Sequence, residues 1–517
     1  MSEQTLAHEL RVVCERFHNR LALCSEESVL SYGSLRQAAL RLAGAYRRLG
    51  IAPGERIVCW LPNCPEFVVA ALAAWELKAV HVGADKELTT AEVSALLEQL
   101  GAAAIIFSAE DGRGLSAARS LREAHPRMHL IVSGEQAPEG CYRLPALLSS
   151  KLPTPDVGGD PPSPRDPAVI FLTSGTSSAP KAVVRYHGQL LEAWRWMGQA
   201  LKTNEEDVHL VQLPLSYGFG FGQAVAGMLT GGRLVLVRRF SPRSVLSLID
   251  RENVTVLHGS PAHFRLLVNS LDRVSDDVSS LRIGVGSGAS FPPALLERIF
   301  DDLGMTFVLA YGSSEGLGCL TADREEMLRG SVGRPPAEWV RILGPDGSPQ
   351  PAGEVGEIAL RKLHGFEYWG DKERSDGPLL GRWCRTGDLG KLDDEGYLYV
   401  LGSVKHQINR GGIGVDPGEV EAVLSYHPDL VDAAVVGLPD PVLGEIVCAC
   451  VVPRADKQAP GLSEVREFLG DVLAKHKLPE ELCILTQIPR TARGKVDRGA
   501  LASQARLLTA HRQNGSP

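Results

Sequence analysis

Thr173-Ser174-Gly175-Thr176-Ser177-Ser178-Ala179-Pro180-Lys181 is a run of small, mostly hydroxylated residues that ends on a proline and a lysine. The apolar run 168–172 precedes it and predicts a buried strand. Small side chains leave backbone N–H groups accessible, so such a loop can surround a phosphate, with hydroxyls and the Lys181 ammonium as further donors. It is not a Walker loop, because no Gly-Lys-Ser/Thr closes it. A polar surface turn is the alternative that this stretch alone leaves open.

Length and composition restrict the class of protein. A chain of 517 residues exceeds one ordinary core, so two or more domains are expected. Apolar residues at 44% and charged residues at 22% are typical of a soluble globular protein. The net charge of -8, without a basic block, argues against nucleic-acid or anionic-membrane partners.

Cysteine usage and the N-terminal sequence indicate the compartment. Only Cys448 and Cys450 of the ten cysteines lie close in sequence, at a spacing typical of neither a zinc site nor a disulfide framework. Free thiols in a large chain indicate a reducing compartment. Residues 1–7 are too polar for a signal peptide, and the most apolar segment, 67–74, is too short to span a membrane. We therefore expect a cytoplasmic protein.

The order of predicted elements indicates the fold class. Strands and helices alternate over 55–107 and 209–310, which predicts βαβ units and parallel sheets, with an irregular connector over 151–167. Turn signals after about residue 330 predict a β-rich subdomain, and the chain beyond Gly402 reads as a small α+β unit. We thus predict an α/β protein with a large N-terminal domain of βαβ-type sheets and a small C-terminal domain.

Two further segments, 214–229 and 462–476, carry predictions of local secondary structure. Residues 214–221 are rich in glycine and aromatic residues and predict a turn, followed by a helix over 222–229. Residues 462–476 predict one long helix.

Five motifs occur in the order and spacing found in the adenylate-forming enzymes, and the chain resembles that superfamily from about residue 5 to about residue 500. The superfamily contains acyl-CoA synthetases, peptide-synthetase adenylation domains and firefly luciferase. The motifs lie at 173–181, 311–315, 384–388, 402–421 and 489–495. One of them would be weak evidence, but five in order are specific.

The resemblance implies a two-step reaction. A carboxylate attacks the α-phosphate of ATP, with Mg²⁺, to give an acyl-adenylate and pyrophosphate, and a thiol then takes the acyl group. No carrier-protein serine motif follows Lys495, so the thiol acceptor is expected to be CoA or the phosphopantetheine of a separate carrier protein. Catalysis then depends on positioning and on cationic stabilisation of converging negative charge.

The resemblance also implies roles for residues around ATP. The phosphate loop is matched by Thr173, Ser174, Gly175, Thr176 and Lys181. The family's adenine-contacting turn is matched by Gly286, Ser287, Gly288 and Ala289. A further nucleotide motif is matched by Tyr311, Gly312, Ser313, Ser314 and Glu315. Tyr311 resembles the aromatic residue beside the adenine, Ser314 replaces the usual phosphate-binding threonine, and Glu315 resembles the Mg²⁺-linked glutamate.

The C-terminal motifs complete the implied site. Asp388 resembles the carboxylate that accepts both ribose hydroxyls, with Arg385 beside it as a further ATP contact. Lys495 resembles the lysine that bridges the substrate carboxylate and the α-phosphate. Lys405 fits the family's hinge between a domain over 1–402 and a mobile domain over 403–517. Gly411 and Gly412 resemble the loop where a pantetheine arm passes close to the backbone.

The acyl pocket is implied at Tyr217 and Gly218, with Gly286 and Ser287. Tyr217 stands where members that activate α-amino acids carry an aspartate for the substrate ammonium. A buried ammonium without a carboxylate is costly, so an aryl or medium acyl acid is expected instead. Core packing of Tyr217 is the alternative. The family's pattern is also broken over 83–85, which includes Asp85.

Departures from the pattern leave other functions open. Ser178 and Ala182 replace glycines that are usual in the family. Ser403 replaces a common arginine, and the positive charge lost there could be supplied by Arg385 or Lys405. A catalytically weakened acyl- or nucleotide-binding protein is therefore the competing class. Residues 312–316 also satisfy the G-x-S-x-G pattern of hydrolases, although no clear Asp and His follow to complete a triad.

Overall fold

The computed structural model describes residues 4–109, 112–134, 136–149, 161–173, 181–313, 316–336, 338–361, 367–371, 375, 383–403, 406–411, 413–470, 472–491 and 494–513. No helix within these ranges is long and apolar enough to cross a membrane. The predicted connector, 151–167, lies largely outside them, and of its described part, 161–167, only Pro167 belongs to a strand.

The strands, numbered along the chain, are β1 Leu21–Cys24, β2 Val29–Ser31, β3 Arg56–Trp60, β4 Val80–Gly83, β5 Ala104–Ser108, β6 His129–Ser133, β7 Tyr142–Arg143, β8 Pro167–Thr173, β9 Lys181–Tyr186, β10 Val208–Val211, β11 Arg233–Leu236, β12 Val256–Gly259, β13 Ile283–Gly286, β14 Thr306–Ser313, β15 Gly316–Thr321, β16 Val340–Leu343, β17 Gly356–Arg361, β18 Glu367–Tyr368, β19 Trp383–Leu392, β20 Leu398–Ser403, β21 Ile408–Arg410, β22 Ile413–Val415, β23 Leu430–Asp440, β24 Gly444–Pro453 and β25 Glu481–Ile484.

The α-helices are α1 Leu6–Arg16, α2 Tyr32–Arg48, α3 Pro65–Glu76, α4 Thr90–Leu100, α5 Gly112–Ala124, α6 Leu144–Leu148, α7 His187–Ala200, α8 Gly218–Leu229, α9 Pro242–Glu252, α10 Pro261–Ser270, α11 Pro293–Leu303, α12 Arg324–Leu328, α13 Pro417–Leu424, α14 Leu462–Gly470 and α15 Arg498–Gln513.

Two eight-stranded sheets form most of the N-terminal part. Sheet 1 has the order β15-β14-β13-β12-β10-β11-β1-β2, and sheet 2 has the order β18-β9-β8-β4-β3-β5-β6-β7. The inner strands of both sheets pair in parallel, while β15, β2, β9 and β18 pair antiparallel at the edges. The alternation of strands and helices therefore predicted the parallel sheets correctly.

The largest core cluster joins these sheets through α3 and α8. It contains Ile57 and Ala168 of sheet 2, Val211 and Leu234 of sheet 1, and every residue from Phe67 to Trp75. A helix that is apolar on all sides is expected to be buried on all sides, and α3 is.

Two smaller sheets follow in the chain. Sheet 3, of order β16-β17-β19-β20, is antiparallel and is the β-rich subdomain expected after residue 330. Sheet 4 has the order β22-β21-β24-β23, with β25 beside β24. Apolar residues on one of its faces pack with α13 and α14, and those on the other pack with α15. The predicted fold class, a large N-terminal domain with a small α+β C-terminal domain, is confirmed.

The predicted turn over 214–221 was wrong at its end, because α8 already begins at Gly218. The glycines are needed there because neighbouring atoms leave no room for a β-carbon. A β-carbon at Gly220 would lie 2.5 Å from the carbonyl oxygen of Pro214, and one at Gly222 would lie 2.7 Å from Trp194 Nε1. Glycine in a buried helix permits close approach, although the same residue in sequence indicates a turn.

The predicted long helix 462–476 was also too long. Helix α14 ends at Gly470, the Leu473 amide returns to the Leu469 carbonyl oxygen at 2.8 Å, and Lys475–Lys477 form a separate 3₁₀ turn. Helical periodicity continued in the sequence after the hydrogen-bonded helix had ended.

The hydrolase alternative fails on topology. Strand β14 runs through Tyr311 to Ser313 and pairs antiparallel with β15. A nucleophile elbow requires a strand followed by a helix at this point.

The ten cysteines all lie in the described ranges, and none of them forms a disulfide in this structure. Cys448 and Cys450 share one face of β24, and the fold adds Cys483, with the three sulfurs within 4.8 Å of one another. The three side chains are buried in an apolar cluster with residues such as Val436 and Leu501. We attribute the grouping to packing, since a free cysteine behaves as a small hydrophobic residue.

Candidate active site

The predicted phosphate loop joins two antiparallel strands near one edge of sheet 2. The backbone of Thr173, at the end of β8, pairs with Lys181, at the start of β9. The Lys181 ammonium lies 5.9 Å from the centroid of the Tyr368 ring. Ser174, Gly175 and Thr176 lie outside the described residues.

Tyr311 and Asp388, which sequence analysis placed beside the adenine and the ribose, are hydrogen-bonded to each other. The Tyr311 hydroxyl donates to Asp388 Oδ2 at 3.0 Å and lies 3.5 Å from Thr386 Oγ1. Tyr311 is buried on β14 of sheet 1, and Asp388 belongs to β19 of sheet 3. The contact therefore joins two sheets and holds the carboxylate of Asp388 beside the aromatic ring.

Glu357 holds the segment that carries Asp388. Its Oε1 accepts a hydrogen bond from the Gly387 amide at 3.0 Å, and its Oε2 accepts one from Arg385 Nη1 at 2.7 Å. Gly387 has a φ of +79°, a conformation that favours glycine and turns the strand at this point. Sequence analysis missed Glu357, because nothing in the turn-rich stretch around it separates it from a surface glutamate.

Arg385 is paired with Glu357 in this structure. Besides Glu357, it donates to the carbonyl oxygen of Gly344 at 3.2 Å. These contacts tie β19 to β17 and to the end of β16. These contacts do not test whether Arg385 contacts ATP and compensates for the missing arginine, so that role stays a prediction.

Ser403 forms a local bond beside Asp388. It is the cross-strand partner of Asp388, and its hydroxyl donates to the carbonyl oxygen of Gly387 at 3.0 Å. The hydroxyl thus supports the backbone next to the carboxylate but brings no positive charge. The predicted hinge residue Lys405 lies outside the described residues.

The turn 286–289 follows β13 at the carboxyl end of sheet 1. Gly286 is required by packing, since a β-carbon there would lie 2.5 Å from Phe291 Cζ. The Ser287 amide donates to the carbonyl oxygen of Gly259 at 3.2 Å, and Gly288 has a φ of +92°. Gly288 and Ala289 are exposed, so the predicted adenine-contacting backbone is accessible.

Lys495 reaches this turn from the far end of the chain. A β-carbon built on Gly288 would lie 3.9 Å from Lys495 Cε. The lysine sits in a tight hairpin closed by pairing of Arg490 with Val496, and the Thr491 amide donates to the carbonyl oxygen of Lys495 at 2.8 Å. The fold thus places the last predicted catalytic residue beside the predicted adenine turn.

The predicted acyl pocket lies where sheets 1 and 2 meet. The Tyr217 hydroxyl donates to the carboxylate of Asp85, which follows β4 of sheet 2. A β-carbon on Gly218 would lie 3.6 Å from Phe171 Cδ2 of β8. Sequence analysis missed the role of Asp85. The break in the family's pattern at 83–85 was a signal, but the partner of Asp85 is distant in sequence.

A buried polar group lies next to this pocket. His209 and His258 stack at 5.7 Å, the edge of Phe219 faces His258 at 6.5 Å, and Gln212 Nε2 donates to the carbonyl oxygen of His258 at 2.7 Å. Burial lowers the pKa of His209 to about 4 and that of His258 well below its usual range, so both rings are neutral near pH 7.

Three buried polar atoms of this group form no hydrogen bond with any described residue and can bind a further polar atom. Within the described part of the chain, His258 Nδ1, His209 Nε2 and Gln212 Oε1 are buried and form no hydrogen bond. Buried polar atoms usually have a partner, which here is a water or a polar atom of a ligand.

The predicted pantetheine loop joins β21 and β22, whose facing ends, Arg410 and Ile413, are paired. Gly411 has a φ of +60°, and its amide donates to the carbonyl oxygen of Leu443 at 2.7 Å. Arg410 Nε donates to Glu480 Oε1 at 2.6 Å. Gly412 lies outside the described residues.

Comparison with known proteins gives consistent matches over nearly the whole chain. The family described as "AMP-binding enzyme" matches residues 10–367, and the one described as "AMP-binding enzyme C-terminal domain" matches residues 419–495. Triostin synthetase I of Streptomyces triostinicus is 36% identical over 502 residues, which cover 95% of this chain and 93% of that protein. Feruloyl-CoA synthase of an Amycolatopsis species is 32% identical, with 91% of this chain and 93% of that protein covered.

Solved structures agree with these relatives. The anthranilate CoA ligase AuaEII, in complex with anthranoyl-AMP, superposes with a TM-score of 0.89 at 25% identity and covers 98% of both chains.

Proposed function

The chain belongs to the AMP-binding enzyme family, and from that premise we propose that it activates an aromatic carboxylic acid as its acyl-adenylate and transfers the acyl group to a pantetheine thiol. It is an AMP-forming acid–thiol ligase, which replaces the alternative of a weakened binding protein. The class of acid, the acceptor and the residue roles below are the proposal.

The observation that supports the residue roles best is a pair of contacts between sequence-distant residues at the ends of two neighbouring strands, β13 and β14. Tyr311 is hydrogen-bonded to Asp388, and Lys495 reaches the turn at Gly288. We assign the adenine to the space between Tyr311 and the turn, and the ribose hydroxyls to Asp388. A carboxylate accepts two hydroxyl hydrogen bonds well, since charge-assisted bonds are the stronger ones.

Lys495 supplies the charge that the chemistry needs. An anionic carboxylate must approach an anionic polyphosphate, so a cation held at their meeting point stabilises the transition state more than the separated substrates. The ammonium of lysine is a compact charge on a flexible stem, and Lys495 is exposed. It can therefore take part in the first step and withdraw before the second.

The polyphosphate is assigned to the loop between Thr173 and Lys181, together with Gly312, Ser313 and Ser314. Glu315 is assigned as the residue that links Mg²⁺ to the phosphates. Residues 174–180 and 314–315 lie outside the described part of the chain, so these assignments stay predictions from the resemblance. Lys181, near the Tyr368 ring, is the described cation of this group.

The acid is proposed to be aromatic and to bear a polar ring substituent or a ring nitrogen. Tyr217, Gly218 and the turn at Gly286 and Ser287 are assigned to its pocket. The neutral rings of His209 and His258 lie beside it. Together with Gln212 they have buried nitrogen and oxygen atoms that can hydrogen-bond to a polar group of the acid. The names of the feruloyl-CoA synthase and the anthranilate CoA ligase refer to aromatic acids, which supports the same class here.

The thiol step is proposed to follow a rotation of the C-terminal domain. We assign the domains to residues 1–402 and 403–517, the hinge to Lys405, and the pantetheine path to Gly411 and Gly412. Hinged closure and opening is a common way to separate two half-reactions in one site. CoA and a free-standing carrier protein present the same pantetheine arm, and the experiment below separates them.

The test is ATP–pyrophosphate exchange with Mg²⁺ over a panel of acids. The panel contains benzoate, hydroxy- and aminobenzoates, cinnamates, nitrogen-heteroaryl carboxylates, medium-chain fatty acids and amino acids. We expect the highest exchange with a polar-substituted aryl acid. Highest exchange with a fatty acid or an α-amino acid would refute the proposed substrate class, and absence of exchange with every acid would refute the proposed activity.

The acceptor is then identified with the best acid. Formation of acyl-CoA is followed with free CoA, and acyl loading is followed by intact-mass measurement on phosphopantetheinylated carrier proteins. The acceptor with the higher kcat/KM is assigned.

A further inference from the structure

Asp432 joins two arginines that lie far apart in the sequence. Its Oδ1 is paired with Arg265 Nη1, and its Oδ2 is paired with Arg490 Nη2 at 2.7 Å. All three side chains are largely buried, with exposed fractions of 15% for Asp432, 18% for Arg265 and 22% for Arg490. Such a shielded pair is less screened by solvent than an exposed one.

The two arginines belong to different bodies of the fold. Arg265 is on α10, which packs with sheet 1, whereas Asp432 is on β23 of sheet 4. Arg490 stands at the base of the hairpin that carries Lys495, and its Nη1 donates to the carbonyl oxygen of Gly494 at 3.2 Å. A continuous chain of contacts therefore runs from α10 through Asp432 to the residue next to Lys495.

The same hairpin meets α10 at a second point. Gly494 has a φ of +73°, and a β-carbon there would collide with Ser260 Oγ at the N-terminus of α10. Ser260 is held in turn by His263 Nδ1, whose distance from Ser260 Oγ is 2.7 Å. Two contacts on one helix fix both the place and the direction of the hairpin.

From these contacts we propose that Asp432 is a positioning residue for the adenylate-forming step. It clamps Arg265 of the large domain and Arg490 of the hairpin, and so holds Lys495 at the Gly288 turn. The proposal deepens the function proposed above and rests on the role assigned there to Lys495.

The charges of the three side chains explain why the clamp favours one half-reaction. Arg265 and Arg490 repel each other, and the pKa of Arg265 is lowered to about 10 by burial and by the nearby charge of Arg490. The carboxylate of Asp432 between them turns that repulsion into attraction. When the C-terminal domain rotates away for thiol transfer, the contact to Arg265 breaks while Arg490 keeps Asp432. The clamp therefore favours the first half-reaction over the second.

The discriminating variant is Arg265→Ala, because it removes the contact between domains and leaves the Asp432–Arg490 pair within the small domain. We expect kcat/KM for acid-dependent pyrophosphate exchange to fall about tenfold, as is common for a misplaced catalytic group. Thiol acylation from pre-formed acyl-adenylate is expected to stay within about twofold of wild type, because that step does not use the clamp. Arg265→Lys keeps the charge and is expected to recover part of the loss.

The matched control is Arg243→Ala. Arg243 also pairs with an aspartate, Asp276, by two bonds of 2.7 and 2.8 Å, and both residues belong to the large domain. Arg243 also donates to the carbonyl oxygen of Ser270, the last residue of α10, so the control removes a contact of the same helix but not the one to Asp432. Loss of this pair is expected to change neither half-reaction. Equal losses in both half-reactions for Arg265→Ala would show a merely structural role and overturn the proposal.

A second measurement decides the matter without reference to activity. Hydrogen–deuterium exchange of the full chain is followed in peptides that cover 261–270 and 489–497. Arg265→Ala is expected to speed exchange in 489–497 relative to wild type and Arg243→Ala, and unchanged exchange would overturn the clamp. If the wild-type protein gives no pyrophosphate exchange with any acid, the proposed function fails, while the deuterium result still decides the clamp.

Discussion

The nucleotide side and the acid side of the site are built differently. On the nucleotide side, Tyr311 and Asp388 are joined by a hydrogen bond of 3.0 Å, and Glu357 fixes the backbone next to Asp388. On the acid side, Tyr217 immediately precedes and Phe219 belongs to a largely buried helix, α8, that packs among aromatic residues. The first side is a set of polar groups with defined partners, and the second is part of the protein core.

This difference explains why the two sides differ in how easily they can be identified. A residue that must accept a ribose hydroxyl or neutralise a phosphate is restricted to a few chemical types, so its motif is recognisable in sequence. A residue that shapes an apolar pocket is restricted mainly in volume, and many combinations satisfy that requirement. The predictions below test whether changes on one side leave the other intact.

The largest effect is expected at Lys495. Lys495→Ala removes the cation at the meeting point of carboxylate and α-phosphate, so pyrophosphate exchange should fall by about 100-fold or more. Binding of ATP, measured by calorimetry, should change little. Lys457→Ala is the control, since Lys457 lies on the C-terminal part and pairs with Asp429 at 3.4 Å. Wild-type exchange in Lys495→Ala would remove Lys495 from the reaction.

A smaller effect is expected at Asp388. Asp388→Asn keeps the size of the side chain but removes the charge, so the KM for ATP should rise about tenfold, while the KM for the acid stays constant. Tyr311→Phe is the matched variant, because it deletes the hydrogen bond to Asp388 and leaves the charge. It should give a smaller rise in the same constant. A rise confined to the KM of the acid would contradict the assignment.

On the acid side, Tyr217→Phe should give the opposite pattern. It removes the hydroxyl that donates to Asp85 and leaves a partly buried carboxylate without that donor. We expect the KM for the acid to rise about fivefold, with the KM for ATP unchanged. Tyr186→Phe serves as a control, since Tyr186 is the last residue of β9, at the opposite end from Lys181, and no role in the site is assigned to it. If Tyr217→Phe alters only ATP kinetics, the acid pocket lies elsewhere.

The smallest effect is expected at Ser403. Ser403→Arg restores the cation that the family commonly has and should lower the KM for ATP about twofold to threefold, because an added charge near the phosphates or ribose is partly screened by solvent. The gain is opposed by loss of the serine bond to Gly387. Ser403→Ala isolates that loss and should raise the KM slightly. If the KM for ATP rises more in Ser403→Arg than in Ser403→Ala, a positive charge at this position does not improve ATP binding.

The sequence was sufficient for the fold class and for the resemblance that identified Tyr311, Asp388 and Lys495. Parallel sheets followed from alternating strands and helices, because a chain with this order of elements can bury its apolar faces in few other architectures. The convergence of Lys495 on Gly288 could be expected only from the resemblance, since periodicity carries no information on contacts between residues so far apart.

The rest depended on contacts that no local pattern reveals. Asp85 meets Tyr217 across two sheets, and Asp432 meets Arg265 across two domains. Arg385, which the resemblance places at ATP, is also paired with Glu357. In each case, the partner of a charge was decided by tertiary packing, which residue type and spacing leave open.

Glycine was the other source of error. Gly218 and Gly220 read as a turn but belong to the first turn of α8, since a buried helix uses them to pack against Phe171 and Pro214. The same residue serves conformational freedom at Gly288 and close packing at Gly220, and the sequence does not distinguish the two uses.

The most direct measurement of the central claim is the product analysis of one reaction. The protein is incubated with ATP, Mg²⁺, the best acid of the panel and a thiol acceptor, and the nucleotides are separated and quantified. The account predicts AMP and pyrophosphate, formed in equal amounts with the thioester, and an acyl-adenylate on the protein when the thiol is omitted. ADP and inorganic phosphate in their place would contradict it, because the α-phosphate would not have been the site of attack.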